Sequence, residues 1–351
     1  MVAPPKNAIL PPGSLILITA VNGFMGCKVA DELLALGYRV RGTVRDLSKS
    51  GWVKELFDSR YGAGMFELLE IADYKTPGAL DAAVKGCGAF AHFVANVSFN
   101  PDPNIVVHDT VAYLTNALDA AAKEPGLKRF VYTSTAGTFS QGRFNEPIEV
   151  TQKTWNTGAV ERAWAPPPYT PDRGLDTYIA SKVAAEEALW SYMASQKPHF
   201  TANTTLPDFP TGVSVSPEKQ SFCGMGPCYL FISALWRGDA FFKMLYPQFM
   251  IDARDNALLH VGALLHPDYR GERIFAVAHR KNWTDWIARL RAMYPEHEFP
   301  DPPENEGWDL SNIVDQPRAE DLLRWLGRPG WRPMEESMRE AFDTVASLDV
   351  K

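Results

Sequence analysis

Tyr178 and Lys182, in the run Tyr178-Ile-Ala-Ser-Lys182, have the types and spacing for proton chemistry. Four residues apart on a helix, the two side chains share one face. A free tyrosine ionises near pH 10 and is a poor proton donor in neutral water. A lysine ammonium beside it favours the phenolate and lowers that value. Such a phenol can give a proton to a carbonyl oxygen or take one from an alcohol. Of the 12 tyrosines, Tyr178 alone has lysine four residues on. The spacing by itself is common, and its weight comes from what surrounds it.

A second set of groups lies in KRFVYTSTAGTF, Lys128 to Phe139. It reads as a buried strand ending in small hydroxyl residues. At the carboxyl end of a parallel strand, Ser134 or Thr135 can hold a substrate oxygen for the tyrosine. A simple strand-end cap is the bland alternative. A third set is LILITAVNGFMG, Leu15 to Gly26, where an apolar strand meets a glycine turn and a helix. Such a turn cradles a diphosphate on backbone N–H groups. Here Ala20 stands where a dinucleotide turn has its first glycine. The second strand then ends Arg41-Gly42-Thr43-Val44-Arg45-Asp46. An NAD site places an acid there, whereas the planar fork of Arg45 suits the 2′-phosphate of NADP. Arg41 and Lys49 are possible helpers, and a solvated arginine pair is the alternative.

These groups need a scaffold, and its pattern is regular. Strands are expected at Leu15–Thr19, Tyr38–Val44, Phe66–Ile71, Cys87–Val94, Lys128–Ser134 and Phe200–Leu206. Helices are expected at Gly23–Leu36, around Trp52–Phe57, at Pro77–Val84, Asn104–Ala122 and Gly174–Ser195. Continuous apolar strands alternating with helices predict an α/β fold with a doubly wound, Rossmann-like parallel sheet. Residues 1–206 are expected to form the NADP-binding domain. Residues 207–351, rich in Pro, Gly and aromatics, read as a smaller C-terminal substrate lobe with some segments returning to the first domain. The GRPGWR turn is expected to pack Trp331 on that lobe.

Composition narrows the function classes. With 46% hydrophobic and 22% charged residues, the 351-residue chain can bury a large core. A net charge of −7 without a Lys/Arg block argues against nucleic-acid or anionic-membrane partners. No apolar run approaches the length of a membrane span. The spacing of Cys27, Cys87, Cys223 and Cys228 fits neither a disulfide framework nor a metal site, and it suits the cytoplasm. Cys223 and Cys228 are expected to lie near each other in a loop. His92 and His260 are read as structural, and Glu186-Glu187 as a solvated helix face. Phe99, Trp155, Trp164, Tyr169 and the segment from Ser214 to Met250 are candidates for a pocket wall. A monomer or homodimer is expected.

TAVNGFMG, GYRVRGTVRD, KGCGAFAHFVANVSF, KRFVYTSTAGTF, YIASK and LGRPGWRPMEES together resemble the extended short-chain dehydrogenase/reductases. Within them the chain is similar to the group of dihydroflavonol, cinnamoyl-CoA and fungal aldehyde reductases, over nearly its whole length. The resemblance implies NADPH-dependent reduction of an aldehyde or ketone to an alcohol. It implies Tyr178 as proton donor, Thr135 as the assisting hydroxyl and Lys182 on the nicotinamide ribose. It implies cofactor contacts from Thr19, Ala20, Asn22, Gly23, Phe24, Met25, Arg45, Lys49, Asp73, Val94 and Pro207, besides Tyr178 and Lys182. Ala20, Val94, Tyr113 and Thr135 are bulkier than that group's pattern. Their added volume leaves two alternatives open: a non-redox isomerase, lyase or cyclase on the same fold, and a protein that senses the NADPH/NADP balance.

Overall fold

In a computed structural model, residues 5–140, 142–224 and 226–349 are described, the side chains of 221–224 and 349 excepted. Seven parallel strands form the central sheet: β1 (Leu15–Thr19), β2 (Arg39–Val44), β3 (Phe66–Glu70), β4 (Ala89–His92), β5 (Arg129–Thr133), β6 (Thr201–Pro207) and β7 (Arg273–Ala276). Their spatial order is β7-β6-β5-β4-β1-β2-β3, so the chain winds outward in both directions from β1 and β4. Ligand crevices in such sheets open at the carboxyl ends of the strands on either side of this reversal.

The strands read as unbroken apolar runs because both sheet faces are covered. Ile16, Ile18, Val40, Ala89, Ala91 and Val131 face one core, which holds Ala30, Leu33 and Leu34 of α1 (Phe24–Ala35). Leu15, Leu17, Phe90, Phe130 and Tyr132 face the other, with Leu114 and Leu118 of α3 (Pro103–Ala122) and Leu189 of α4 (Gly174–Gln196). Between them in sequence, α2 (Trp52–Tyr61) buries Val53 and Phe57. Asp102 caps α3 by accepting the Asn104 N–H at 2.9 Å, and Pro103 opens the helix.

The helix expected at Pro77–Val84 is absent. That stretch is a series of turns, with i+3 bonds such as Ala79 N–H to Thr76 O and Gly78 at φ 79°. A glycine in the left-handed region one residue after proline stops a helix before it closes a second turn.

After β6 the chain leaves the sheet and comes back. α5 (Pro227–Trp236), α7 (Trp283–Met293) and α9 (Met334–Asp349) share an apolar cluster with Phe209, Phe242 and Phe299. Trp283 and Trp286 are fully buried there, as core rather than pocket wall. α6 (Ala253–Leu265) is buried along its length against α1, and β7 extends the main sheet. α8 (Gln316–Trp325) places Leu322 and Leu323 in the same sheet-side core. Trp331 packs on this core too, not on the lobe as expected. It follows α8, and α8 lies against α6 and β7. Among the described residues, no helix is long and apolar enough to cross a membrane.

Candidate active site

Strand β5 carries the candidate hydroxyls to the carboxyl edge of the sheet. Thr135, just past its end, is extended (φ −158°), and its Oγ1 accepts the Gly137 N–H at 3.3 Å. This cap folds residues 136–138 into a short turn against α4. A Cβ on Gly137 would stand 2.9 Å from Ile179 Cγ1, so glycine there lets the turn rest on the helix next to Tyr178. The Thr135 hydroxyl stands near enough to the Tyr178 oxygen to favour its phenolate. Ser134 points the other way: its Oγ donates to Glu186 Oε2 at 2.7 Å, and it is buried. Of the two candidate hydroxyls, Thr135 is the one presented to the tyrosine.

Tyr178 is half-buried, with the Phe99 ring 5.4 Å away and Trp155 in the same apolar cluster. Of the other wall candidates, Tyr169 sits beside Arg173 and Asn104, and Trp164 is 45% exposed. Burial pushes the Tyr178 phenol up to about 12; the Cys228 thiol adds to this, and the Thr135 hydroxyl opposes it. The lowering expected from Lys182 does not occur in this arrangement. Lys182 Nζ turns to β5 instead, donating to the Tyr132 hydroxyl at 3.0 Å and the Thr133 carbonyl at 2.6 Å. Burial brings the Lys182 ammonium down to about 7, with Glu186 opposing. Tyr132 is fully buried, and it is a partner of Lys182 that motif reading missed. The strand alternation that sends Phe130 into the α3/α4 core sends Tyr132 there as well, which is the available signal.

Glu186, read as solvated, is fully buried. It accepts from Ser134, from Thr204 Oγ1 at 2.9 Å and from Arg273 Nε at 2.8 Å. Arg273 in turn donates to the carbonyls of Gln152 and Thr154 and stacks 3.9 Å above Trp155. Glu186 lies one turn past Lys182, on the face that α4 turns to the sheet, whereas Glu187 is exposed. His92 and His260 are buried, with burial bringing them down to about 3 and about 4. His260 is tied to Thr133 and Thr205, and His92 to Thr19.

The glycine turn fits a diphosphate. Gly23 begins α1 with no side-chain cap and no acid in the first turn, which leaves the first helical N–H groups open. A Cβ on Gly23 would meet only the Ala20 carbonyl, at 3.3 Å. Thr19 faces inward, bonded to His92 Nδ1 and the Phe93 N–H. The Asn22 amide is tied to Ser50 Oγ at 3.0 Å, and its carbonyl accepts from Gln220 of the lobe. Phe24 packs edge-on to Tyr229, and Met25 is half-buried beside the same cluster.

Arg45 is exposed at the end of β2, with no ion pair among the described residues. Lys49 is 83% exposed and 3.4 Å from Asp46, and Asp46 caps the short helix Leu47–Ser50. Arg41 cannot assist them: it is bound to Glu67 at 2.8 Å and to the carbonyls of Ala83 and Lys85. The side chains on a strand alternate, so Arg41 and Arg45 share a face, but four residues of strand separate them by over 10 Å. Asp73 is exposed in the loop after β3 and accepts the Lys75 N–H. Val94, Ala20 and Tyr113 join one apolar cluster with Tyr74. Pro207 ends β6, and Asp208 follows it, a buried carboxyl that burial pushes up to about 7. Cys223 and Cys228 lie on two helices, Pro217–Gly224 and α5, rather than in a loop, and the Cys223 side chain lies outside the described residues.

Residues 16–205, more than half of the chain, match the family described as NAD dependent epimerase/dehydratase. Aldehyde reductase 2 of Sporidiobolus salmonicolor is 37% identical over 95% of this chain and 96% of its own length. The ketoreductase adrE of Penicillium rubens is 34% identical over 95% and 97%. The yeast methylglyoxal/isovaleraldehyde reductase Gre2, solved with NADPH, superposes with a TM-score of 0.81 at 18% identity, over 96% of this chain and 99% of that one. The chain belongs to the NAD-dependent epimerase/dehydratase family of extended short-chain dehydrogenase/reductases.

Proposed function

We propose that this protein reduces an aldehyde or ketone to an alcohol with NADPH, with Tyr178 as the proton donor. The observation that carries this reading is the Thr135–Tyr178 hydroxyl pair at the carboxyl edge of β5, on the same sheet edge as the uncapped start of α1. The family membership and the reductase names of the relatives support it.

The open N–H groups at Phe24 and Met25 would hold the diphosphate, Arg45 and Lys49 the 2′-phosphate, and Asp73 and Val94 would line the adenine side. Pro207 borders the nicotinamide end. When bound, NADPH supplies the hydride. Thr135 and Tyr178 both direct hydroxyl donors at the carbonyl oxygen, and donors fixed in place stabilise the charge that builds there. Tyr178 then passes its proton to that oxygen. Lys182, one helical turn from Tyr178 and held on β5 by Tyr132 and the Thr133 carbonyl, would hold the nicotinamide ribose. Residues 207–351 supply most of the substrate wall, and residues 1–206 hold the cofactor.

Quenching or a blue shift of NADPH fluorescence on mixing tests the first step. Tyr178→Phe is expected to lower kcat by about a hundredfold or more with the NADPH Kd little changed. Turnover unchanged in Tyr178→Phe, or turnover of substrate without nicotinamide, overturns the reading.

A further inference from the structure

Arg273 opens β7 at the edge of the sheet, and its buried guanidinium grips two segments that reach the site. Nε donates to Glu186 Oε1 at 2.8 Å, which fixes the plane of the group. Nη2 donates to Thr138 Oγ1 at 3.1 Å, in the turn after β5. Nη1 donates to the carbonyls of Gln152 at 3.1 Å and Thr154 at 2.7 Å. The face of the guanidinium lies 3.9 Å from the Trp155 ring centre, and Trp155 shares an apolar cluster with Tyr178.

The first of these grips leads straight to Thr135. The Thr138 hydroxyl, which accepts from Arg273, donates to the Thr135 carbonyl at 2.9 Å, and the Thr138 N–H meets the same carbonyl at 3.1 Å. Asn156 ties the second segment to the turn: its N–H donates to the Thr138 carbonyl at 2.7 Å and its amide to the Gly137 carbonyl at 3.0 Å. Thr135 Oγ1 itself accepts the Gly137 N–H, so its one hydroxyl hydrogen is left for another acceptor. A buried ion pair adds little net stability, because desolvation of both charges offsets their attraction. Two apolar side chains could fill the space of Glu186 and Arg273, but they would hold neither Thr138 nor the carbonyls of residues 152 and 154.

We propose that Arg273, oriented by Glu186, is a positioning residue for the reduction. Through Thr138 it fixes the turn that presents the Thr135 hydroxyl, and through the carbonyls of Gln152 and Thr154 it fixes Trp155 beside Tyr178. The proposal rests on the reductase reading above.

Comparing turnover with stability separates this role from a structural one. Benzaldehyde, hexanal and acetophenone are the probe carbonyls, with NADPH oxidation and thermal melting as readouts. Glu186→Met combined with Arg273→Met is expected to melt closer to the native protein than Glu186→Gln does, yet to lose about tenfold or more in kcat, as misplaced catalytic groups do. The same double variant with native kcat overturns the proposal. Thr138→Val tests the link to Thr135 without touching the ion pair. It is expected to lower kcat about threefold or more in the native background, and by less than about twofold in a Thr135→Ala background. An equal effect in both backgrounds, or native kcat in Thr138→Val while Tyr178→Phe is impaired, overturns the proposal alone. Native kcat in Tyr178→Phe, or no turnover of any probe by the native protein, overturns the reductase reading and the proposal with it.

Discussion

Replacing Glu186 by glutamine keeps its shape and removes its charge from the most enclosed ion pair among the described residues. Glu186 and Arg273 side chains are 0% and 4% exposed. The carboxylate accepts three hydrogen bonds, from Ser134, Thr204 and Arg273. A glutamine offers one acceptor oxygen, and its NH₂ group meets donors on the remaining side. Arg273 keeps its carbonyl partners but loses its counter-charge. Removing one member of a buried pair costs about 3–5 kcal/mol, because the other charge stays desolvated. Unfolding entropy near 2.1 cal/mol/K per residue gives roughly 0.7 kcal/mol per degree for a cooperative chain of 351 residues. Glu186→Gln should therefore melt about 4–7 °C below the native protein. The exposed neighbour supplies the control: Glu187→Gln should stay within about 0.5 kcal/mol, or about 1 °C. Replacing both partners, as Glu186→Met with Arg273→Met, should recover part of the loss. Scanning fluorimetry on the ten tryptophans reads all four proteins. A Glu186→Gln melt indistinguishable from that of Glu187→Gln would refute the assignment of this network to the core.

Two further outcomes follow from the geometry. Arg45→Ala should raise the NADPH Kd about tenfold or more, as expected for lost charge-assisted hydrogen bonds, while NADH binding barely changes; an unaltered NADPH/NADH ratio would remove Arg45 from the 2′-phosphate. Lys281 is fully buried among Phe209, Trp283 and Trp286, with Asp208, Glu306 and Cys228 facing it, and its Nζ has no hydrogen-bond partner among the described residues. Burial brings its ammonium from 10.5 down to about 7. Between these values the unfolded chain holds more protons, so this group's penalty on folding is full below pH 7 and fades as pH rises toward 10.5. Lys281→Met should then stabilise more at pH 6.5 than at pH 9.5; equal melting shifts at both would contradict this.

The order of the first six strands and their helices, Pro77–Val84 excepted, the spacing of Tyr178 and Lys182 on one helix and the exposed Arg45 at the end of β2 were legible in the sequence. Each depends on local periodicity: alternate or continuous apolar runs for strands, a four-residue spacing for the helix, a residue type at a strand end. What each side chain meets was not legible. Glu186 and Glu187 are neighbours of one type, yet one lies in the core and the other in solvent, because α4 turns a single face to β5, β6 and Arg273 of β7. Lys182 turns to Tyr132, fifty residues earlier, because β5 runs beneath it. Ala20 looked like a missing glycine; its left-handed conformation shows only in the folded turn after β1. The sequence by itself determined most elements of the first two hundred residues and the candidate residues on them. The tertiary structure decided charge, burial and hydrogen-bond partners, because those depend on which distant strand lies alongside, and local spacing carries no record of that.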